Sequence, residues 1–124
     1  MIAADSSAWI DFLAGNASKE ARLLEASLEE GRGVLPTPVF FELMSAPGID
    51  VETISTLEKL PRLELHEGYW LRAAELRRAI LRSGKRARSM DSLIAQNCMD
   101  HRIELITKDA DFSVFVNHGL RLST

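Results

Sequence analysis

Cysteine is almost missing from this chain of 124 residues: Cys98 stands alone, so no disulfide can form within it. It falls on the apolar face of a predicted helix, where a reduced, inert packing role is expected. No stretch approaches the roughly 18 unbroken apolar residues of a membrane span. The opening Met1-Ile2-Ala3-Ala4-Asp5 lacks the basic start and apolar run of a secretory signal, and a cytoplasmic protein is the expectation. Histidine is scarce and scattered: His66, His101 and His118 form no ligand pattern. Positive charge is also in the minority, with 15 Lys and Arg against 18 Asp and Glu, a net charge of −3. That balance argues against a simple nucleic-acid binder.

What is present describes a globular protein. Hydrophobic residues make up 46% of the chain, enough for a sizeable core, and the length suggests one domain over residues 1–124. The basic residues cluster. Arg72, Arg77, Arg78, Arg82, Lys85, Arg86 and Arg88 face only Glu75 within residues 72–88. Two readings stand for that segment: a solvated helix face with a mobile basic loop, or a surface that holds a polyanion beside an acidic site.

Short apolar runs alternate with helical patterns along the whole length. Ile2-Ala3-Ala4, Val34-Leu35, Leu63-Glu64-Leu65, Ile103–Thr107 and Leu120-Arg121-Leu122 read as strands. Helices are predicted over residues 8–13, 18–30, 51–60 and 67–82, and from Ser89 or Asp91 onward. In the helix over 67–82, Trp70, Leu71, Ala74 and Leu81 are expected to face the core, and Tyr69 and Trp70 to be packing residues. A further helix opens at Thr37, read as its N-cap, with Pro38 at the first position. Its run Val39-Phe40-Phe41-Glu42-Leu43-Met44 is apolar nearly all round, which predicts a buried helix. The alternation of strands and helices predicts an α/β fold with a mainly parallel sheet.

Four acids stand out against this pattern. Asp5 ends the first strand, where it could also simply cap the following helix. Glu42 is the one charge in an apolar helix and must reach water, a partner or a cation. Asp91 lies at a helix start, and Asp109 ends the strand that follows that helix. Ligands of parallel α/β sheets gather outside the carboxyl ends of the strands, so these acids can share one cleft. Two carboxylates about 4 Å apart repel by about 4 kcal/mol at an effective dielectric near 20, so a cluster calls for a raised pKa or a cation. Oxygen donors without a His or Cys set favour Mg²⁺ or Mn²⁺ over zinc. Such ions activate water and stabilise the leaving oxygen in phosphodiester hydrolysis, and a polyanionic substrate suits the basic segment.

Asp5-Ser6-Ser7, Phe41-Glu42-Leu43-Met44-Ser45, Asp91-Ser92-Leu93-Ile94-Ala95 and Leu105-Ile106-Thr107-Lys108-Asp109-Ala110-Asp111-Phe112 together resemble the PIN-domain ribonucleases, and among them the VapC-type toxins of toxin–antitoxin pairs. The resemblance spans nearly the whole chain, and the Thr-x-Asp-x-Asp-Phe ending is its strongest piece. It implies a three-layer α/β/α fold and a metal-dependent endoribonuclease. It implies Asp5 and Asp91 as primary Mg²⁺ (or Mn²⁺) ligands, Glu42 joining directly or through water, and Asp109 completing the set. Asp111 either assists or fixes the turn, and Ser7 is placed to orient Asp5 by a hydrogen bond. An RNA substrate, a homodimer and a small VapB-like antitoxin are further implications. The loop Lys85–Met90 is more basic than the Gly/Pro-rich approach often seen in the family. Two other readings were open: a non-catalytic PIN-fold module that binds RNA or a partner, and a receiver-type phospho-accepting domain, for which no Asp stands near Leu63-Glu64-Leu65.

Overall fold

Strand β1, Ile2–Ala4, is buried along its whole length and pairs on both sides, with β2 (Gly33–Pro36) and β4 (Glu104–Ile106). The computed structural model, which describes residues 1–123, places β3 (Arg62–Leu63) beyond β2. The order is β3-β2-β1-β4, and every pairing is parallel. The predicted strand at Leu120–Leu122 is reduced to one parallel bridge, Leu105 to Leu122. Short strands of Ala, Val, Leu and Ile suit a sheet covered on both faces by crossover helices.

The crossovers are α1 (Ser6–Leu13) and α2 (Lys19–Glu29) between β1 and β2, then α3 (Thr37–Met44) and α4 (Val51–Lys59) before β3. Helices α5 (Tyr69–Arg82) and α6 (Ser89–His101) carry the chain back across the sheet to β4. A 3₁₀ helix over Ala110–His118 follows β4. This is the three-layer α/β/α arrangement expected from the sequence. Half of the α-helix starts are marked by side chains: Asp5, Ser18 and Asp50 each accept a first-turn backbone N–H. Gly31, at φ +70°, turns the chain out of α2 in a conformation that other residues adopt only with strain.

Three local expectations need correction. Pro36, not Thr37, occupies the cap of α3, because Thr37 is engaged elsewhere. Its N–H donates to Asn97 Oδ1 at 3.0 Å and its hydroxyl to Leu63 O at 2.7 Å. The fully buried Asn97 also donates to Leu63 O, so one amide ties α6 to the ends of β2 and β3. Second, α3 is not buried all round: Pro38, Val39 and Leu43 are buried, but Phe41 is 62% exposed.

Third, α5 lies rotated from its predicted face. It carries two apolar stripes, and the buried one is Tyr69-Ala73-Leu76-Ile80. Trp70 and Leu71 are 65% and 64% exposed, with Ala74 and Leu81 exposed beside them. Polar contacts on the winning side fix the choice. Tyr69 donates its hydroxyl to Leu93 O at 2.6 Å. Arg72 grips Asp100 through two hydrogen bonds of 3.1 and 2.6 Å, and Gln96 donates to the same carboxylate. Both contacts run from α5 to α6. Arg72→Ala is expected to cost about 2–3 kcal/mol in urea unfolding, since it leaves the nearly buried Asp100 charge with Gln96 alone. A loss near zero would show that Asp100 relaxes to solvent. Cys98 is fully buried, its thiol pushed up to about 12 first by burial, as fits the inert role expected of it.

Candidate active site

The sheet order fixes where a cleft opens. From β1 the chain first builds outward to β2 and β3, then returns to the other side of β1 as β4. The carboxyl ends of β1 and β4 therefore flank the switch point of the sheet, where neighbouring crossovers part. Asp5 follows β1 directly, and Thr107 to Asp109 follow β4.

These two strand ends are laced together. The Asp5 N–H donates to Ile106 O at 3.0 Å. Asp5 Oδ2 accepts from the Thr107 hydroxyl at 2.6 Å. Asp5 Oδ1 accepts from the Ser7 hydroxyl at 2.7 Å and from the Ala8 N–H at 3.1 Å. Thr107 Oγ1 in turn accepts the Asp109 N–H, and Ser7 Oγ accepts the Lys108 N–H. Asp5 is thus the helix cap the sequence allowed and, at the same time, the hub of a network across the cleft. Asp5 is 3% exposed, and burial raises its pKa against the lowering effect of Thr107, Ser7 and Ala8, with Asp109 adding a further rise.

Asp91 stands in the first turn of α6, where the helix dipole favours its charge. No side chain caps that helix, because the cap position is Arg88. One oxygen each from Asp91, Asp109 and Asp111 lies within 4.8 Å of the others. Asp91 Oδ2 is buried and has no hydrogen-bond partner among the described residues. Its pKa is raised to about 6, by burial first and then by Asp109, with Arg88 opposing and Asp5 and Asp111 adding to the rise. Carboxylates so close, one with an orphaned buried oxygen, form a charge imbalance that a divalent cation would relieve. Oxygen donors alone suit a hard cation, so the residues present fit one.

Glu42, like Asp5, is outside the three converging acids. Its Oε1 accepts from the Ser6 hydroxyl at 2.5 Å, and Ser6 is the residue after Asp5. The half-buried glutamate is therefore tied to the β1 end rather than turned freely to water. Asp109 caps the 3₁₀ helix by accepting the Asp111 N–H at 2.9 Å, which aims the Asp111 side chain at the same place. Thr107 and Ser6 lie inside the resembling motifs but receive no role of their own from the sequence. The usable signal was position: a hydroxyl two residues before a strand-end acid, and another beside a capping acid. Lys108, the late lysine of the receiver-type reading, is ion-paired to the nearly buried Asp11 at 3.2 Å, and β3 lies at the sheet edge.

A profile of the PIN domain matches residues 2–116. No curated protein matches the chain in sequence. Among solved structures, it is similar to VapBC from Salmonella typhimurium in a DNA-bound complex, at a TM-score of 0.75 and 16% identity, covering 99% of this chain and 98% of that one. A Rickettsia felis VapBC bound to a DNA fragment of its promoter gives 0.74 and 16%, with coverage of 99% and 98%. A VapBC-family toxin–antitoxin structure from Mycobacterium tuberculosis gives 0.64 and 22%, with 98% of each chain covered. At these identities the likeness concerns the fold.

Proposed function

Because the chain belongs to the PIN-domain family, we propose that its strand-end acids serve a metal-dependent endoribonuclease, the toxin of a VapBC-type pair. The observation that carries this reading is the convergence of Asp91, Asp109 and Asp111 on one point, with a buried, unpartnered oxygen on Asp91.

In this reading Asp5, Asp91 and Asp109 would hold Mg²⁺ or Mn²⁺, Asp111 would assist them, and Glu42 would join directly or through water. The chemistry such an ion supplies is activation of water for in-line attack on phosphorus and stabilisation of the leaving oxygen. The chain's own work is placement. Ser7 and Thr107 hold the Asp5 carboxylate in one orientation, and Ser6 holds Glu42. No Ser, Cys or His nucleophile is required.

A VapB-like antitoxin and a homodimer belong to the same proposal. Three of the solved structures similar to the chain are of VapBC systems. Exposed Phe41 and Trp70 border an almost wholly apolar cavity of about 300 Å³ that a partner could fill. No helix among the described residues is long and apolar enough to cross a membrane.

The test is cleavage of total cellular RNA by the purified chain, with sites mapped by sequencing. Cleavage is expected in Mg²⁺ or Mn²⁺, stopped by EDTA and absent in Asp5→Asn. Asparagine still caps α1, so that variant should keep its fold. Equal cleavage by Asp5→Asn would reject the assigned acids. No cleavage by the wild-type chain, with RNA still bound, would favour the binding-module alternative.

A further inference from the structure

Resting on the nuclease reading above, we propose that Arg86 and Arg88 bind RNA backbone phosphates beside the one being cut. The loop from Ser83 to Arg88 is tethered rather than loose. Ala87 is 8% exposed and acts as an apolar anchor. Its carbonyl accepts the Arg77 Nε–H at 2.8 Å, which pins the loop to α5. Arg86 and Arg88 flank this anchor, and both are exposed. Between them and α5 lies an open cavity of about 260 Å³, lined by Arg77, Leu81, Arg86, Ala87 and Arg88.

Two features aim this cavity at the acid site. Arg88 Nη2 lies 3.8 Å from Asp111 Oδ2, and Asp111 is one of the three converging acids. The charge of Arg88 also acts on Asp91, three residues further along the helix. A guanidinium in that position reaches the edge of the site without entering it. Its pairing to Asp111 is long, and the two side chains are 62% and 56% exposed, so little holds it there. A phosphate offers that planar fork a stronger, bidentate partner. Arg86 makes no ion pair among the described residues. The chain as a whole carries a net charge of −3, so overall charge does not draw in a polyanion. A fixed basic loop next to a carboxylate cluster is what lets the backbone approach the acids.

The experiment is equilibrium binding of a fluorescein-labelled RNA hairpin, followed by anisotropy in EDTA over a range of salt. Arg88→Ala should weaken binding about tenfold and lower the salt slope by about 0.7–0.9, the loss of one phosphate contact. Arg86→Ala with Arg88→Ala should lower the slope about twice as far. Arg22→Ala, which removes one charge on α2, is the control and should bind within about twofold of wild type. Circular dichroism checks that each variant is folded. Wild-type affinity and slope in the double variant, or a loss no larger than that of Arg22→Ala, would overturn the proposal. Poly-glutamate displacing the RNA as well as unlabelled RNA does would also overturn it, since the loop would then be a surface for acidic peptides. The two readings fail separately. A wild-type chain that cuts RNA but binds it independently of Arg86 and Arg88 refutes only this assignment. A chain that binds through these arginines but never cuts in Mg²⁺ or Mn²⁺ supports the binding site and refutes the nuclease.

Discussion

Asp91→Asn is expected to abolish metal-dependent RNA cleavage, by about 10³-fold or more, while making the metal-free protein more stable at neutral pH. The first half follows from the removal of one ligand charge from the converging acids. The second follows from the same burial that shapes the site. Asp91 has a folded pKa of about 6 against 3.8 for an ordinary aspartate, so between those values the folded chain holds a proton that the unfolded chain has lost. The contribution of this group to stability is therefore greatest below pH 3.8 and is lost as pH rises through about 6. At pH 7.5 the ionised side chain strains the metal-free fold, and the neutral amide does not. The variant should gain roughly 1–2 kcal/mol there, allowing for partial solvent screening, and the gain should fade towards pH 4. Mn²⁺ should reverse the order, stabilising wild type and leaving the variant unchanged. Thermal unfolding at two pH values, with and without Mn²⁺, reads all of this. A variant destabilised at pH 7.5 without metal would show that Asp91 is a structural group and not a stored charge.

Thr107→Val should lower Mn²⁺ affinity about 10–100-fold, although Thr107 is not assigned as a ligand. Valine matches threonine in shape but cannot donate, so Asp5 Oδ2 loses its partner and the Asp109 N–H loses its acceptor. The buried carboxylate is then freer to rotate, and its pKa, already raised by burial, rises further because the Thr107 hydrogen bond was lowering it. Stability should drop by about 1–3 kcal/mol from the groups left unpaired. Thr107→Ser keeps the hydroxyl and should restore most of the affinity. Calorimetric titration of the three proteins with Mn²⁺ gives the ranking. Equal affinities for valine and threonine would mean that Asp5 is held well enough by Ser7 and Ala8.

The strands were legible because short runs such as Ile2-Ala3-Ala4 and Leu105-Ile106 are bounded by polar turns. Their parallel direction followed from the helices between them, while their order did not. The strand-end places of Asp5 and Asp109 followed from the same pattern. Side-chain direction was harder to read. Helix α5 offered two apolar stripes of similar strength, and the deciding contacts, Tyr69 to Leu93 and Arg72 to Asp100, join residues 24 and 28 positions apart. Periodicity within one helix does not contain that information. Thr37 looked like a cap because its local sequence fits one, yet Asn97 and Leu63 claimed its polar groups. Glu42 was recognisable as an odd charge, but its attachment to Ser6 spans 36 residues. The part played by Asp111 depended on a 3₁₀ turn, which leaves no hydrophobic period to detect.

Both rims of the sheet end in stubs. β3 is two residues long and begins right after Pro61, while the opposite rim closes on a lone bridge at Leu122. Neither offers a foreign strand enough free amides to zip onto. A chain built this way resists growing into ribbons when crowded.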